Sequence, residues 1–248
     1  MLLQYKKQLR KELKRISDPK TKLWFESYMK HKERYIGVKT PAVERIVILL
    51  AEEMSDVTAR KLSLSLLESP YTEEKLAGMI LYQKKLIKNR TTVWRKDLGA
   101  IKKAVEAGHV SWWNTCDWLC VRILGRVTAE QGRQAALEIA AWIESDNLWL
   151  RRMSLVSFVN HAKKGDRLFA GNTNMILANA KLLVRSNERF HQTAVGWVIR
   201  ELYKGNPKVA KRFILQQHKY FSREGLRYAI EKMPEAERKR ILTKDVDA

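Results

Sequence analysis

The 248-residue chain is poor in residues that break regular structure, with 5 prolines and 11 glycines. Alternating apolar and polar stretches are also missing, which excludes a sheet-based architecture. No apolar run approaches the ~20 residues of a membrane span. Cysteine occurs only at Cys116 and Cys120. Spaced i,i+4 in an apolar stretch, the pair reads as buried thiols in a reducing compartment. His109 lies nearby, but no further Cys or His completes a tetrahedral set, so no metal is expected. Neither a GxGxxG nucleotide loop nor a P-loop occurs. Acidic residues are under-represented: 27 Asp+Glu face 48 Lys+Arg, a net charge of +21. That balance far exceeds what solubility needs and favours polyanionic partners, nucleic acid above all. The start of the chain is basic (Lys6, Lys7, Arg10, Lys11, Lys14, Arg15). No apolar stretch of the kind found in secretory signals follows it, so an intracellular location, cytoplasm or nucleoid (nucleus in a eukaryote), is expected.

Helical periodicity is abundant. Leu9, Leu13 and Ile16 form one stripe, in a basic N-terminal helix over 1–16. Val43, Ile46, Val47 and Leu50 form another behind Thr40-Pro41, a pair that reads as an N-cap followed by proline at the first helical position. About twelve helices joined by short turns are expected. A serine precedes a helical segment at Ser69, Ser111, Ser145, Ser186 and Ser222, at intervals of 42, 34, 41 and 36 residues. Serine is a good N-cap because its hydroxyl accepts from an orphan amide. A period near 40 residues points to an all-α, HEAT-like helical-repeat solenoid with a concave, basic face. The alternative is an irregular bundle with fortuitous serine spacing. No linker composition divides residues 1–248, so a single domain is expected, ending in a short polar tail.

Within the serine-led segments Asp117 is the least expected residue. Its i±3 and i±4 positions are Trp113, Asn114, Cys120 and Val121, so no cation on its own helix pairs with it. It must find a tertiary partner or face a cleft, since burying a lone carboxylate is costly. A salt bridge to another helix and a role in stabilising a developing cation both remain open. Trp113 stands one turn earlier on the same face. Among Trp112, Trp113 and Trp118 at least one is expected to be purely structural. In the last strong repeat Trp197 follows Gly196, and a mid-helix glycine costs about 1 kcal/mol against alanine, which points to close packing there. Arg152 shares an apolar stripe with Leu148 and Trp149, so it should be paired, with a carboxylate or a phosphate. Its neighbour Arg151 faces elsewhere. Further cations, among them Lys84, Lys163, Arg185, Arg189 and Lys208, offer a track for phosphates.

Taken together, Tyr28-Met29-Lys30, Gly37-Val38-Lys39-Thr40-Pro41, Ser111-Trp112-Trp113, Asp117, Ser145-Asp146-Asn147-Leu148-Trp149-Leu150, Arg152 and Gly196-Trp197-Val198-Ile199-Arg200-Glu201 resemble the AlkD-type DNA alkylation repair proteins over roughly residues 20–232. These are DNA glycosylases built from HEAT-like repeats. The resemblance implies a monofunctional glycosylase that removes N3- and N7-alkylated purines from duplex DNA without flipping the base. Trp113, Asp117, Arg152 and Trp197 match the family's active-site positions, and Tyr28 a position near them. Tyr28, Lys39, Thr40, Trp149, Arg151, Arg189 and Arg200 are the expected DNA contacts. The implied partner is double-stranded DNA containing alkylated bases, bound by a monomer without metal, cofactor or membrane. Asn114 departs from the family pattern, which has an acid there, and Lys39 replaces a neutral amide. A Gly-rich hairpin of the helix-hairpin-helix glycosylases is absent. A non-catalytic repeat protein that binds damaged or branched DNA remains the alternative, followed by a scaffold for RNA or an acidic protein.

Overall fold

A computed structural model describes residues 2–243, and they form an all-α helical-repeat fold. Among the described residues there is no strand, although an isolated bridge joins Arg34 and Tyr71. The chain forms two compact units, 1–127 and 128–248.

The first unit contains α1 (Leu2–Arg15), α2 (Pro19–Tyr28), α3 (Thr40–Glu52), α4 (Asp56–Leu66), α5 (Thr72–Leu81), α6 (Trp94–Glu106) and α7 (Trp113–Leu119). The chain crosses into the second unit within α8 (Gly125–Gln131). There follow α9 (Arg133–Ala140), α10 (Leu148–Val156), α11 (Val159–Ala162), α12 (Asn172–Leu183), α13 (Arg189–Gly205), α14 (Pro207–Gln217), α15 (Arg223–Ile230) and α16 (Glu235–Thr243). These sixteen segments exceed the twelve or so expected. The excess lies in short pieces such as α11 and in tight 3₁₀ turns such as Ala141–Glu144, which interrupt helices on a scale that apolar periodicity cannot resolve. Two helices also carry π-helical turns, Tyr82–Ile87 after α5 and Cys120–Leu124 after α7. The second begins three residues beyond Asp117 and rephases the face that follows it.

The core of the first unit is aliphatic, with Leu9, Leu13, Val43, Leu62, Leu76, Ile80 and Leu98 fully or almost fully buried. Polar ties fix the helices within it. Buried Asp97 accepts from Arg60 Nε at 2.5 Å, the Tyr82 hydroxyl at 2.6 Å and the Val93 amide at 3.1 Å, joining α4, the first π turn and α6. Cys116 and Cys120 are buried and not joined in a disulfide, in line with their reading as buried thiols.

In the second unit, Asn179 on α12 donates to the carbonyls of Ala140 and Ser154. Buried Gln192 on α13 donates to Val184, Ser186 and Tyr220 carbonyls and accepts from the Ser222 amide. The close packing expected at Gly196 is there. A Cβ at this position would lie 2.5 Å from the Gly225 carbonyl oxygen and 2.6 Å from Tyr228 Cβ, so the missing side chain is what lets α15 sit against α13.

The serine rhythm is structural, but most of the serines stand ahead of the cap. Only Ser222 caps its helix directly, accepting from the Gly225 amide at 3.0 Å. At Ser69, Ser145 and Ser186 the hydroxyl instead accepts from the amide two residues on, at Tyr71, Asn147 and Glu188. Each of those residues is the actual cap. The serine therefore forms a turn that feeds the cap. Thr40 is likewise displaced: it is the first residue of α3, and Lys39 is the cap, without a side-chain bond.

Candidate nucleic-acid interface

In the first unit the candidate residues gather on α2 and α7. Asp18 caps α2, its carboxylate accepting from the Lys20 and Thr21 amides, and Pro19 opens the helix. The start of α2 is pinned by Gly37. At φ 104° its backbone approaches so closely that a Cβ would lie 2.5 Å from the Asp18 carbonyl oxygen. Gly37 in turn is held from behind by Glu73. This buried carboxylate accepts from the amides of Ile36 (2.9 Å), Gly37 (2.8 Å) and Val38 (3.1 Å). One side chain on α5 thus satisfies three backbone donors of the segment between α2 and α3, a strong charge-assisted arrangement. Sequence reasoning missed Glu73, because a glutamate in a helix's first turn looks like an ordinary dipole partner.

α7 is fixed just as firmly. Lys75, almost fully buried, donates to the His109 carbonyl at 2.5 Å and so holds the approach to the helix. Burial pushes its pKa down, partly opposed by the charge of Glu33. Asn114 is buried and donates to the Tyr35 hydroxyl at 2.8 Å. The Thr115 hydroxyl bonds to Glu33 Oε1 at 3.0 Å. Burial, followed by the charge of Glu33, raises the Tyr35 phenol pKa well above its ordinary value. Its ring stacks on Phe25 of α2, with centroids 5.0 Å apart. Asn114 is therefore part of the joint between α7 and α2. Its amide donates to the phenol, where a carboxylate in its place would accept.

On the outer side of that joint, Tyr28 meets Trp113 edge-on at 6.3 Å, and Trp24 lies parallel to Tyr28 at 5.2 Å. Trp113 and Asp117 are one turn apart on α7, and both are half-buried. Trp112 and Trp118 are half-buried as well. Asn114, Thr115, Cys116 and Leu119 fill the buried side of this seven-residue helix instead. Lys39 is exposed and Thr40 half-buried at the start of α3. Beyond α2, Lys30 and His31 both adopt positive φ, 53° and 56°, a conformation that costs on the order of 1 kcal/mol for a residue with a Cβ.

In the second unit the candidates gather on α10 and α13. Asn147 caps α10 through the Trp149 and Leu150 amides. Arg152 is buried and donates to the Phe190 carbonyl at 2.5 Å and the Thr193 hydroxyl at 3.2 Å. Trp149 tilts against Phe190, with centroids 4.9 Å apart. Trp197, half-buried, stands one turn beyond Thr193 on the same side of α13. Arg152 and Trp149 are thus organised around the first turns of α13, and Trp197 lies one turn further along the helix. His191 in those turns bonds to Ser186 Oγ at 2.8 Å and the Leu148 carbonyl at 3.1 Å.

The cations expected to touch DNA differ in their engagement. Arg189 forms a two-pronged pair with Glu224 at 2.6 and 2.7 Å. Arg200 bonds to Glu231 at 2.6 Å and Glu201 at 3.2 Å. Lys84 pairs with Glu44. Arg151 is half-buried beside Arg152. Among the described residues, no helix is long and apolar enough to cross a membrane.

The fold is an all-α helical repeat on a strongly cationic chain, with Asp117 half-buried one turn from Trp113. The particular family follows from comparison with known proteins. The model of the DNA alkylation repair enzyme family matches residues 9–233, and the chain belongs to that family. Among solved structures, the fold is similar to a predicted DNA alkylation repair enzyme from Enterococcus faecalis. The TM-score is 0.75 at 19% identity, covering 88% of this chain and 97% of that one. No curated protein sequence matches the chain.

Proposed function

We propose that the protein is a monofunctional DNA glycosylase of base excision repair, built from HEAT-like repeats. It hydrolyses the N-glycosidic bond of cationic N3- and N7-alkylpurines in duplex DNA without flipping the base. The observation that carries this reading is the placing of Asp117 one turn from Trp113, with Tyr28 against that indole, in a member of a DNA alkylation repair family.

Alkylation at N3 or N7 makes the purine a cation and a good leaving group. The bond from C1′ to the purine nitrogen breaks, its electron pair neutralises the base, and an oxocarbenium-like sugar remains. The Asp117 carboxylate stabilises that charge electrostatically and directs water to C1′, the water losing a proton as the new C–O bond forms. The electron-rich faces of Trp113 and Tyr28 suit a cationic nucleotide and its sugar. In the second unit, Arg152, bonded to Phe190 and Thr193, orders the start of α13, near which Trp149 and Trp197 contribute to binding of the duplex. Because the substrate is already activated, this chemistry needs neither a metal nor an organic cofactor.

The test is release of 7-methylguanine and 3-methyladenine from methylated duplex by wild type and Asp117→Asn. Release by wild type and its loss in a variant that still binds supports the reading. Binding without release by wild type defeats it in favour of a non-catalytic DNA-binding role.

A further inference from the structure

The helix α2 contributes no buried residue. Leu23, Trp24 and Tyr28 on it are 65%, 60% and 57% exposed. A ten-residue helix that leaves its large apolar side chains in water does not owe them to its own packing, because burial of that surface is what ordinarily holds a surface helix in place. Here the holding is done from the other side, by the Phe25–Tyr35 stack, the Asp18 cap and the Gly37 contact. The exposed rings are nevertheless ordered among themselves. Trp24 and Tyr28 are within 5° of parallel, and Tyr28 is buttressed edge-on by Trp113. The result is a flat aromatic ledge whose outermost member is Trp24.

The surroundings of the ledge are cationic. Lys20, Lys22, Lys30, Lys32, Arg34 and Lys39 fall between residues 19 and 39, against Glu26 and Glu33 alone. Of those two acids, Glu26 faces Lys22 and Glu33 is engaged by Thr115 and Tyr35. An exposed planar aromatic set in a cationic field is the chemistry that receives single bases: the ring takes the π-face and the lysines the phosphates.

We propose that Trp24 is a stacking residue for the nucleobase whose face is uncovered beside an abasic position of the bound duplex, with Lys30 and Lys32 on the phosphates that flank that base. This assignment rests on the DNA-repair reading above but not on catalysis. It adds a residue that touches neither the alkylated base nor its sugar and that sets affinity and tolerance for disturbed stacking.

The experiment uses full-length wild type, Trp24→Ala and Trp24→Phe. Binding is measured on a duplex with a stable abasic analogue at the lesion position and 2-aminopurine beside it, whose fluorescence reports stacking. Trp24→Ala should bind about 10-fold more weakly (about 1.4 kcal/mol) and lose the 2-aminopurine change seen with wild type. Trp24→Phe, which keeps an aromatic face, should stay within about 3-fold and retain the change. Thermal melting of each variant accompanies the binding, and at this exposed position the three should melt together. Equal affinity and equal 2-aminopurine response of wild type and Trp24→Ala overturn the proposal and assign the ledge to another partner. Base release from methylated duplex is scored in parallel. If wild type releases no base yet binding still depends on Trp24, the catalytic reading fails while the stacking role stands. If release proceeds and Trp24→Ala binds normally, the stacking role alone fails.

Discussion

Tyr28 packs edge-on against Trp113, with ring centroids 6.3 Å apart and planes inclined at 75°. The contact joins two helices, 85 residues apart in sequence, that otherwise meet through Phe25, Tyr35 and Asn114. Behind that joint, Glu73 bonds to the amides of Ile36, Gly37 and Val38, the segment that follows α2 and leads to α3.

Glu73→Gln tests the clamp. The amide offers one acceptor where the carboxylate offered two, and it sets an N–H₂ against backbone donors. Hydrogen bonds to a charged acceptor are worth about 1.5–3 kcal/mol each, and a buried donor left unpaired costs a similar amount. A loss of about 3 kcal/mol in urea denaturation is expected, with faster amide exchange at Ile36, Gly37 and Val38. Unchanged exchange at those three amides would show that the clamp does not hold the segment.

Glycine to alanine at two helical positions should have opposite signs. Alanine favours a helix interior by about 1 kcal/mol over glycine. At Gly99 in α6 a Cβ meets nothing within 4 Å, so Gly99→Ala should raise the melting temperature by a few degrees. At Gly196 the Cβ would overlap the Gly225 carbonyl, a backbone atom that cannot swing aside. Overpacking costs about 1–3 kcal/mol or more, so Gly196→Ala should lower the melting temperature despite the better propensity. A rise in both variants would contradict the close α13–α15 contact.

His191 gives stability a pH dependence. Burial holds its pKa below the ordinary 6.5, and the charges of Arg151 and Arg152 act the same way. The Leu148 carbonyl and Glu188 act against them. The unfolded chain therefore binds the proton first as pH falls. Its contribution to stability is complete above about pH 6.5 and is lost progressively as pH falls toward the folded pKa. Wild type should lose more melting temperature between pH 7 and pH 5 than His191→Gln, which keeps a donor for Leu148. Parallel slopes would show that His191 carries none of this dependence.

The fold class was legible because helical periodicity, scarce breakers and the serine rhythm agree. The caps were legible to within two residues. Ser69, Ser145 and Ser186 mark the turn that feeds the cap, and sequence spacing does not separate a feeding turn from a cap. The packing at Gly196 was readable because a mid-helix glycine carries a cost that something must offset. Trp24 escaped notice because an isolated tryptophan reads as core, and its exposure depends on Phe25 and Tyr35 taking the inner side of α2. Glu73 escaped for the converse reason, since a first-turn glutamate reads as solvated. The π turn after α7 left no signal in composition. Asn114 was noticed as a departure, but its role as donor to Tyr35 required the tertiary structure.

The central claim is that the carboxylate of Asp117 supports departure of a cationic purine. The most direct measurement is single-turnover release of 7-methylguanine and 3-methyladenine from methylated duplex, comparing wild type with Asp117→Asn at matched DNA occupancy. Loss of one electrostatic stabiliser of a developing charge typically slows chemistry about 100- to 1,000-fold. The expected result is release by wild type, a drop of that size in Asp117→Asn, and duplex affinity within a few-fold of wild type. Release at the same rate by both proteins, or by neither while both bind, would contradict it.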